Sequence, residues 1–183
     1  MNHRSAAATL MLVLGSTAGA ADFTVASKDV APGNTVAQDF IFGGFGCTGK
    51  NLSPELHWSG APAGTQSFAV NIYDPDAPTG SGWWHWVVIN LPATTTSLPQ
   101  GAGVADGSKL PAGTQQIRTD FGAKGYGGPC PPQGDKPHRY IVTVHALKVP
   151  KLEVPADATA ALAGFMVNAN TLAKATFTFT YGR

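Results

Sequence analysis

Four stretches of the chain carry the two-residue period of a strand with one face in a core. Phe68, Val70 and Ile72 occupy every second position of 67–73, Trp84 to Ile89 is a dense aromatic and β-branched run, and Arg139 to Leu147 repeats the pattern. In 175–181, Phe177, Phe179 and Tyr181 face one way and Thr176, Thr178 and Thr180 the other, as in a half-buried antiparallel strand. One segment has a helical period instead. From about Asp157 to Leu172, the residues Leu162, Phe165, Met166 and Leu172 form an apolar stripe expected to face the core, and Asp157 can cap the start. The 22 glycines and 14 prolines punctuate the remainder without periodicity, which argues against a repeat or collagen-like array. The pattern predicts a loop-rich, mainly β domain with a single helix in the C-terminal region.

At 183 residues, 43% of them hydrophobic and 13% charged, the chain has the apolar material for one domain with a real core. Its first residues read differently. Met1-Asn2-His3-Arg4 leads into an apolar stretch from Ala6 to Leu14 and then Ala18-Gly19-Ala20, the pattern of a secretory signal peptide over residues 1–20, which leaves a domain over 21–183. The apolar run is too short to span a bilayer, and no later segment approaches the ~20 apolar residues of a transmembrane helix. A periplasmic or secreted location is expected.

Arg4 is the only Lys, Arg, Asp or Glu of the leader, so the 12 basic residues fall to 11 against 11 acidic ones in the remaining chain. Lys and Arg are scattered singly, which excludes a phosphate-tracking nucleic-acid surface. Neutrality equally excludes strong attachment to acidic lipid, leaving capture of a single head group as the form a lipid role can take. The two cysteines, Cys47 and Cys130, lie in glycine-rich loops, and with an export signal their pairing is the expectation. Two buried free thiols are the alternative reading. A catalytic Cys130 is disfavoured, since Pro131-Pro132 gives it no helix N-terminus to lower its pKa.

Chemistry-bearing residues concentrate in two places. Asp74-Pro75-Asp76-Ala77-Pro78 is followed closely by Trp83-Trp84-His85-Trp86, and the prolines make the first segment a stiffened loop. Asp74 follows a predicted strand with Asp76 two positions on, so persistent extended geometry would send both carboxylates the same way. His138 and Tyr140 are likewise two apart, with Arg139 opposite, and His85 is expected to share a face with Trp83, Val87 and Ile89. Two imidazoles, a phenol and an indole backed by carboxylates suit an oxyanion: the histidines donate, an aspartate behind each holds its orientation, and Tyr140 adds a neutral donor. Simpler readings compete. Asp74 alone could be a turn carboxylate, and His85 alone a satisfied core residue. His57 and His145 lack such context and read as structural, Trp84 and Trp86 as core or interface, and Trp83 as a pocket wall.

Three short motifs are set aside. Asp120-Phe121-Gly122 has none of the companions of a kinase metal site and reads as a turn, Gly125-Tyr126-Gly127-Gly128 reads as flexible backbone at the pocket rim, and Asn51-Leu52-Ser53 matches a glycosylation acceptor no better than chance. The same Asp and His residues could hold a divalent metal or serve as a hydrolase's acid–base pair, and this stays open as the alternative. It has no support from a metal-binding His-Glu-x-x-His or a Gly-x-Ser-x-Gly turn, so no metal, cofactor or catalytic residue is assigned.

The two blocks, with Gly125-Tyr126-Gly127-Gly128-Pro129-Cys130-Pro131-Pro132 and His138-Arg139-Tyr140 forming the second, resemble the phosphatidylethanolamine-binding protein family, also called Raf-kinase-inhibitor-like. Phe45 to Pro54 and Leu56-His57-Trp58 are similar to its bacterial branch. The resemblance implies an antiparallel β-sandwich whose small pocket receives a small anion or phosphorylated head group. It carries the binding site onto Asp74, Asp76, Trp83, His85, Pro131, Pro132, His138 and Tyr140. Family members bind and regulate, some inhibiting kinases or serine proteases. Export removes cytosolic kinases, which makes a protease the expected protein partner. Bacterial relatives imply a homodimer, for which the surface around Trp84 and Trp86 is the candidate interface.

Overall fold

The computed structural model describes residues 22–183, so the leader expected over 1–20 lies outside the described residues. Two antiparallel sheets form the body. The smaller has the order β1-β2-β5, from β1 (Thr24–Ala26), β2 (Leu56–Ser59) and β5 (Ser97–Leu98). The larger has the order β6-β4-β3-β7-β8, from β3 (Ser67–Asp74), β4 (Trp83–Pro92), β6 (Gln115–Gln116), β7 (His138–Leu147) and β8 (Thr171–Tyr181). The four long strands fall where the alternation predicts them. The short ones β1, β2, β5 and β6 carry too few residues to show a period.

The large sheet is covered on both faces. Towards the small sheet, Val70, Ile72, Trp86, Val88, Val142 and Phe179 pack against Leu56, Trp58 and Leu98. On the other face, Ala69, Val87, Ile89 and Leu147 meet Leu152 and the helix α1 (Ala160–Asn170). The helix corrects the sequence reading in two respects. Its cap is Thr159, whose hydroxyl accepts from the Leu162 N–H at 3.1 Å, not Asp157. Its buried face is Ala160, Ala163 and Val167, while Leu162 and Phe165 are 41% and 73% exposed; Leu172 already belongs to β8 and is 44% exposed. The helix lies close to the sheet here, with a Cβ at Gly164 already within van der Waals contact of the Trp84 indole. Small residues let the helix lie there; Leu162 and Phe165 point outward, and Met166 of the expected stripe packs partly buried against this core.

Two β-bulges re-aim β4. Asn90, at φ 62°, absorbs the extra residue between the pairs Phe68↔Leu91 and Val70↔Val88. Its side chain then ties the Leu152 loop to the sheet, accepting from Leu152 N at 2.8 Å and donating to its carbonyl at 3.2 Å. The second bulge lies between Ile72↔Trp86 and Tyr73↔Trp84, which makes His85 the extra residue. His85 therefore lies on the side of Trp86 and Val88, and not with Val87 and Ile89 as unbroken alternation would have it. Trp86 is fully buried with its indole N–H on Gln116 and is therefore core rather than interface, while Trp84 packs half-buried on Tyr73. Cys47 and Cys130 are joined as a disulfide across 83 positions of sequence.

Candidate functional site

β3, β4 and β7 are neighbours in the sheet and antiparallel, so the end of β3 lies beside the starts of β4 and β7. Asp74, the β4 bulge and the residues His138 and Tyr140 consequently meet at one end of the sheet. They floor a cavity of about 220 Å3 whose wall is mostly carbon. Of the residues expected to form the site, Asp74, Trp83, His85, Pro131, Pro132, His138 and Tyr140 line it.

Asp76 does not. Its Oδ2 accepts from Arg139 N and Nε, both at 2.9 Å, and its Oδ1 from Arg139 Nη2 at 2.7 Å. These bonds hold the Asp76 carboxyl down at about 2. The expectation that Asp74 and Asp76 point the same way fails because the extended chain ends at Asp74. Its Oδ1 accepts from Asp76 N at 2.8 Å and Ala77 N at 3.1 Å, closing a turn that swings Asp76 to the outside.

The other oxygen of Asp74 accepts from His138 Nδ1 at 2.8 Å in a buried pair. The second nitrogen of that ring, Nε2, stands 3.3 Å from the Asp135 carboxylate. Carboxylates accept only, so Nδ1 carries the hydrogen given to Asp74, and Nε2 is turned to the Asp135 carboxylate rather than to the cavity.

His85 is held differently from the expected aspartate-backed arrangement. Its Nδ1 donates to the carbonyl of Gly127 at 2.6 Å, and Gly127 N returns a bond to the His85 carbonyl at 2.9 Å. The ring stands edge to face with Phe121 and Tyr140, at centroid distances of 5.4 and 5.0 Å. Burial pushes it down to about 4, against the opposing pull of the Gly127 and Gly128 carbonyls, Asp74 and Asp120. It is a neutral imidazole at physiological pH, not a charged donor. Tyr140 is 1% exposed, and its buried hydroxyl has no hydrogen-bond partner. Burial, with the Asp74 charge behind it, pushes the phenol up, so it stays a neutral O–H donor.

The glycine run beside the cavity is there for close approach. A Cβ on Gly127 would collide with the Phe121 ring and one on Gly128 with the Phe40 carbonyl, which corrects the reading of flexible backbone. Asn51 pins the same run, accepting from Gly128 N at 2.7 Å and donating to the Tyr126 carbonyl at 3.0 Å. Two aromatic lining residues, Phe121 and Phe45, escaped the sequence reading of the site. Asp120-Phe121-Gly122 is indeed a turn, anchored by Asp120 Oδ2 accepting from Trp84 N at 2.7 Å, and that anchor delivers Phe121 to the cavity. Phe45, at φ 53° and 67% exposed, lies over Phe121 at 6.0 Å. The adjacent disulfide holds its loop. So does Arg183, whose guanidinium donates to the carbonyls of Pro131, Gly46 and Phe45 at 2.7, 3.2 and 3.2 Å. Phe45 stands two residues before Cys47, and that spacing is its one signal in the sequence. Among the described residues no three His, Cys, Asp or Glu side chains are grouped to hold a metal ion.

A family model for phosphatidylethanolamine-binding proteins matches residues 26–182. The chain is 53% identical over 173 residues to YbcL of Escherichia coli, a UPF0098 protein, covering 94% of each. The crystal structure of E. coli YbcL, described as a new member of the mammalian PEBP family, superposes with a TM-score of 0.87 at 55% identity, covering 89% of this chain and 99% of that one. LppC of Mycobacterium tuberculosis, provisionally named a lipoprotein, is 36% identical over 136 residues, 74% of this chain and 60% of its own length.

Proposed function

The chain belongs to the phosphatidylethanolamine-binding protein family, and we propose that it is an exported binding module whose cavity takes a small anion or phosphorylated head group. One observation carries this reading. The Tyr140 hydroxyl is buried without a partner at the floor of the cavity, and an unsatisfied buried polar group costs the folded protein about 1–3 kcal/mol. Trp58 Nε1 and Thr114 Oγ1 are also without partners, but neither lines this cavity. A ligand oxygen would satisfy the phenol. Export is supported by the leader, by the Cys47–Cys130 disulfide and by the provisional lipoprotein name of a relative. Regulation of a partner such as a protease would use the same cavity mouth.

The hydrolase alternative has the Asp74–His138 pair in its favour. Against it, the ring nitrogen a hydrolase would turn towards a nucleophile meets Asp135 instead. The one hydroxyl of serine or threonine on the wall, that of Thr79, donates to the Gly82 carbonyl at 2.5 Å.

Calorimetry with inorganic phosphate tests the binding reading. Tyr140→Phe should leave the free protein as stable or more so, and should weaken phosphate binding by about 1.5–3 kcal/mol, the worth of a hydrogen bond to a charged group. Unchanged affinity in that variant, or a stoichiometric divalent ion whose removal unfolds the protein, would overturn it.

A further inference from the structure

Taking the anion-pocket reading as its basis, we infer that the cavity selects an oxyanion that still carries a proton, the singly charged form of phosphate or of a phosphate monoester, over a fully deprotonated anion or a phosphodiester. The polar groups of the floor require it. His85 spends its Nδ1–H on the Gly127 carbonyl, a group that can only accept. The one polar atom this ring can turn to a ligand is Nε2, which in the neutral imidazole is an acceptor. Tyr140 contributes one O–H donor, while His138 spends its Nδ1–H on Asp74 and has Nε2 against the Asp135 carboxylate. A ligand completing this floor must accept from Tyr140 and donate to His85. A P–OH beside a P–O⁻ does both, whereas sulfate or a dialkyl phosphate leaves the imidazole lone pair facing an oxygen.

Charge points the same way. No Lys or Arg lines the cavity, and Arg139 is committed to Asp76. The groups that face His85 are Asp74 from the end of β3, Asp120 from the turn that carries Phe121, Tyr140 from β7, and the Gly127 and Gly128 carbonyls. His138, also on the wall, lies between two carboxylates. Nothing there offsets a second negative charge on the ligand, and Asp74 and Asp120 oppose one.

Isothermal calorimetry at about pH 6 compares inorganic phosphate, methyl phosphate, dimethyl phosphate and sulfate. Phosphate and methyl phosphate, which keep a P–OH, should bind at least about tenfold tighter than dimethyl phosphate or sulfate, because a site built around a ligand O–H rejects analogues without one. At about pH 8, where phosphate is largely doubly charged, binding should take up a proton from the buffer, read from enthalpies in buffers of different ionisation heat; at about pH 6 uptake should be small. His85→Gln, which can offer an N–H, should bring the phosphate-to-sulfate ratio towards one. Tyr140→Phe should weaken all four and leave the ratio unchanged. The proton count on the unaltered protein decides the matter even if His85→Gln fails to fold. Equal binding of phosphate and sulfate, or full proton uptake at about pH 6, overturns the inference while leaving the anion pocket standing. Absence of binding by all four, or indifference to Tyr140→Phe, overturns both.

Discussion

Acidification should destabilise this fold well before its carboxylates protonate, because two buried histidines are held neutral. Burial pushes both His85 and His145 from 6.5 down to about 4. His145 is locked in one tautomer. Its Nδ1 donates to Thr171 Oγ1 at 3.1 Å, because that hydroxyl spends its own hydrogen on the Val167 carbonyl at 2.8 Å, and its Nε2 accepts from Asn71 Nδ2 at 3.1 Å. Protonating Nε2 would turn the Asn71 amide over or set donor against donor. His85 sits between Phe121 and Tyr140 with little to solvate a charge. In the unfolded chain both rings titrate near 6.5, so between about pH 6.5 and 4 the unfolded state binds more protons than the native one. Stability therefore rises with pH across this window and is lost as pH falls through it. At about 1.4 kcal/mol per pKa unit, each ring contributes a loss of about 3 kcal/mol by pH 4. Together that rivals the whole stability of an ordinary domain, about 5–15 kcal/mol.

Urea unfolding from about pH 4 to 8 measures this, in buffers free of phosphate and sulfate so that no bound anion adds stability. The parent should lose several kcal/mol between pH 6.5 and 4. His85→Gln and His145→Gln should each lower stability at neutral pH and remove about half of the slope, and the double variant should be nearly flat until the carboxylates titrate. The slope is the readout, because lost packing lowers the curve without tilting it. A parent whose stability is level from pH 7 to 4.5, or a double variant as steep as the parent, would refute the burial argument for both rings.

The helix makes a second prediction: Val167→Ala should cost about 1–3 kcal/mol, as a buried apolar truncation does, whereas Phe165→Glu should stay within about 0.5 kcal/mol; the reverse order in thermal unfolding would restore the stripe read from the sequence. The disulfide makes a third. Protein recovered from an oxidising compartment should show no alkylatable thiol, and reduction should lower stability by up to about 4–5 kcal/mol with Phe45 released from the cavity mouth; two reactive thiols in the native protein would contradict the bridge.

Features set by local alternation were legible in the sequence, and those set by contact with a distant partner were not. Phe177, Phe179 and Tyr181 turn one face of β8 to the core as their spacing predicts, because a strand's period depends on its own backbone. The helix defeated the same logic. Hydrophobicity selects Leu162 and Phe165, whereas the face that packs beside Trp84 and Leu152 is made of Ala160, Ala163 and Val167 with Met166 at its edge. The bulge at His85 is invisible along β4 alone, since a bulge is a mismatch between two strands. Asp76 left the predicted group through a turn that depends on which hydrogen bonds Asp74 accepts.

That bulge also explains why the cavity floor can be so discriminating. Without the extra residue, His85 would alternate to the helix side of the sheet and Tyr140 would lose its edge-to-face neighbour; with it, an acceptor and a donor stand together on one floor. Phe45, Phe121, Trp83 and the prolines at 78, 131 and 132 then wall that floor with apolar surface. In such surroundings a misplaced proton is poorly rescued by water, so matching one donor and one acceptor counts for more than it would on an open surface. Aromatic residues at the mouth and two neutral polar groups at the base are thus a single device, in which the first sets how strictly the second can choose.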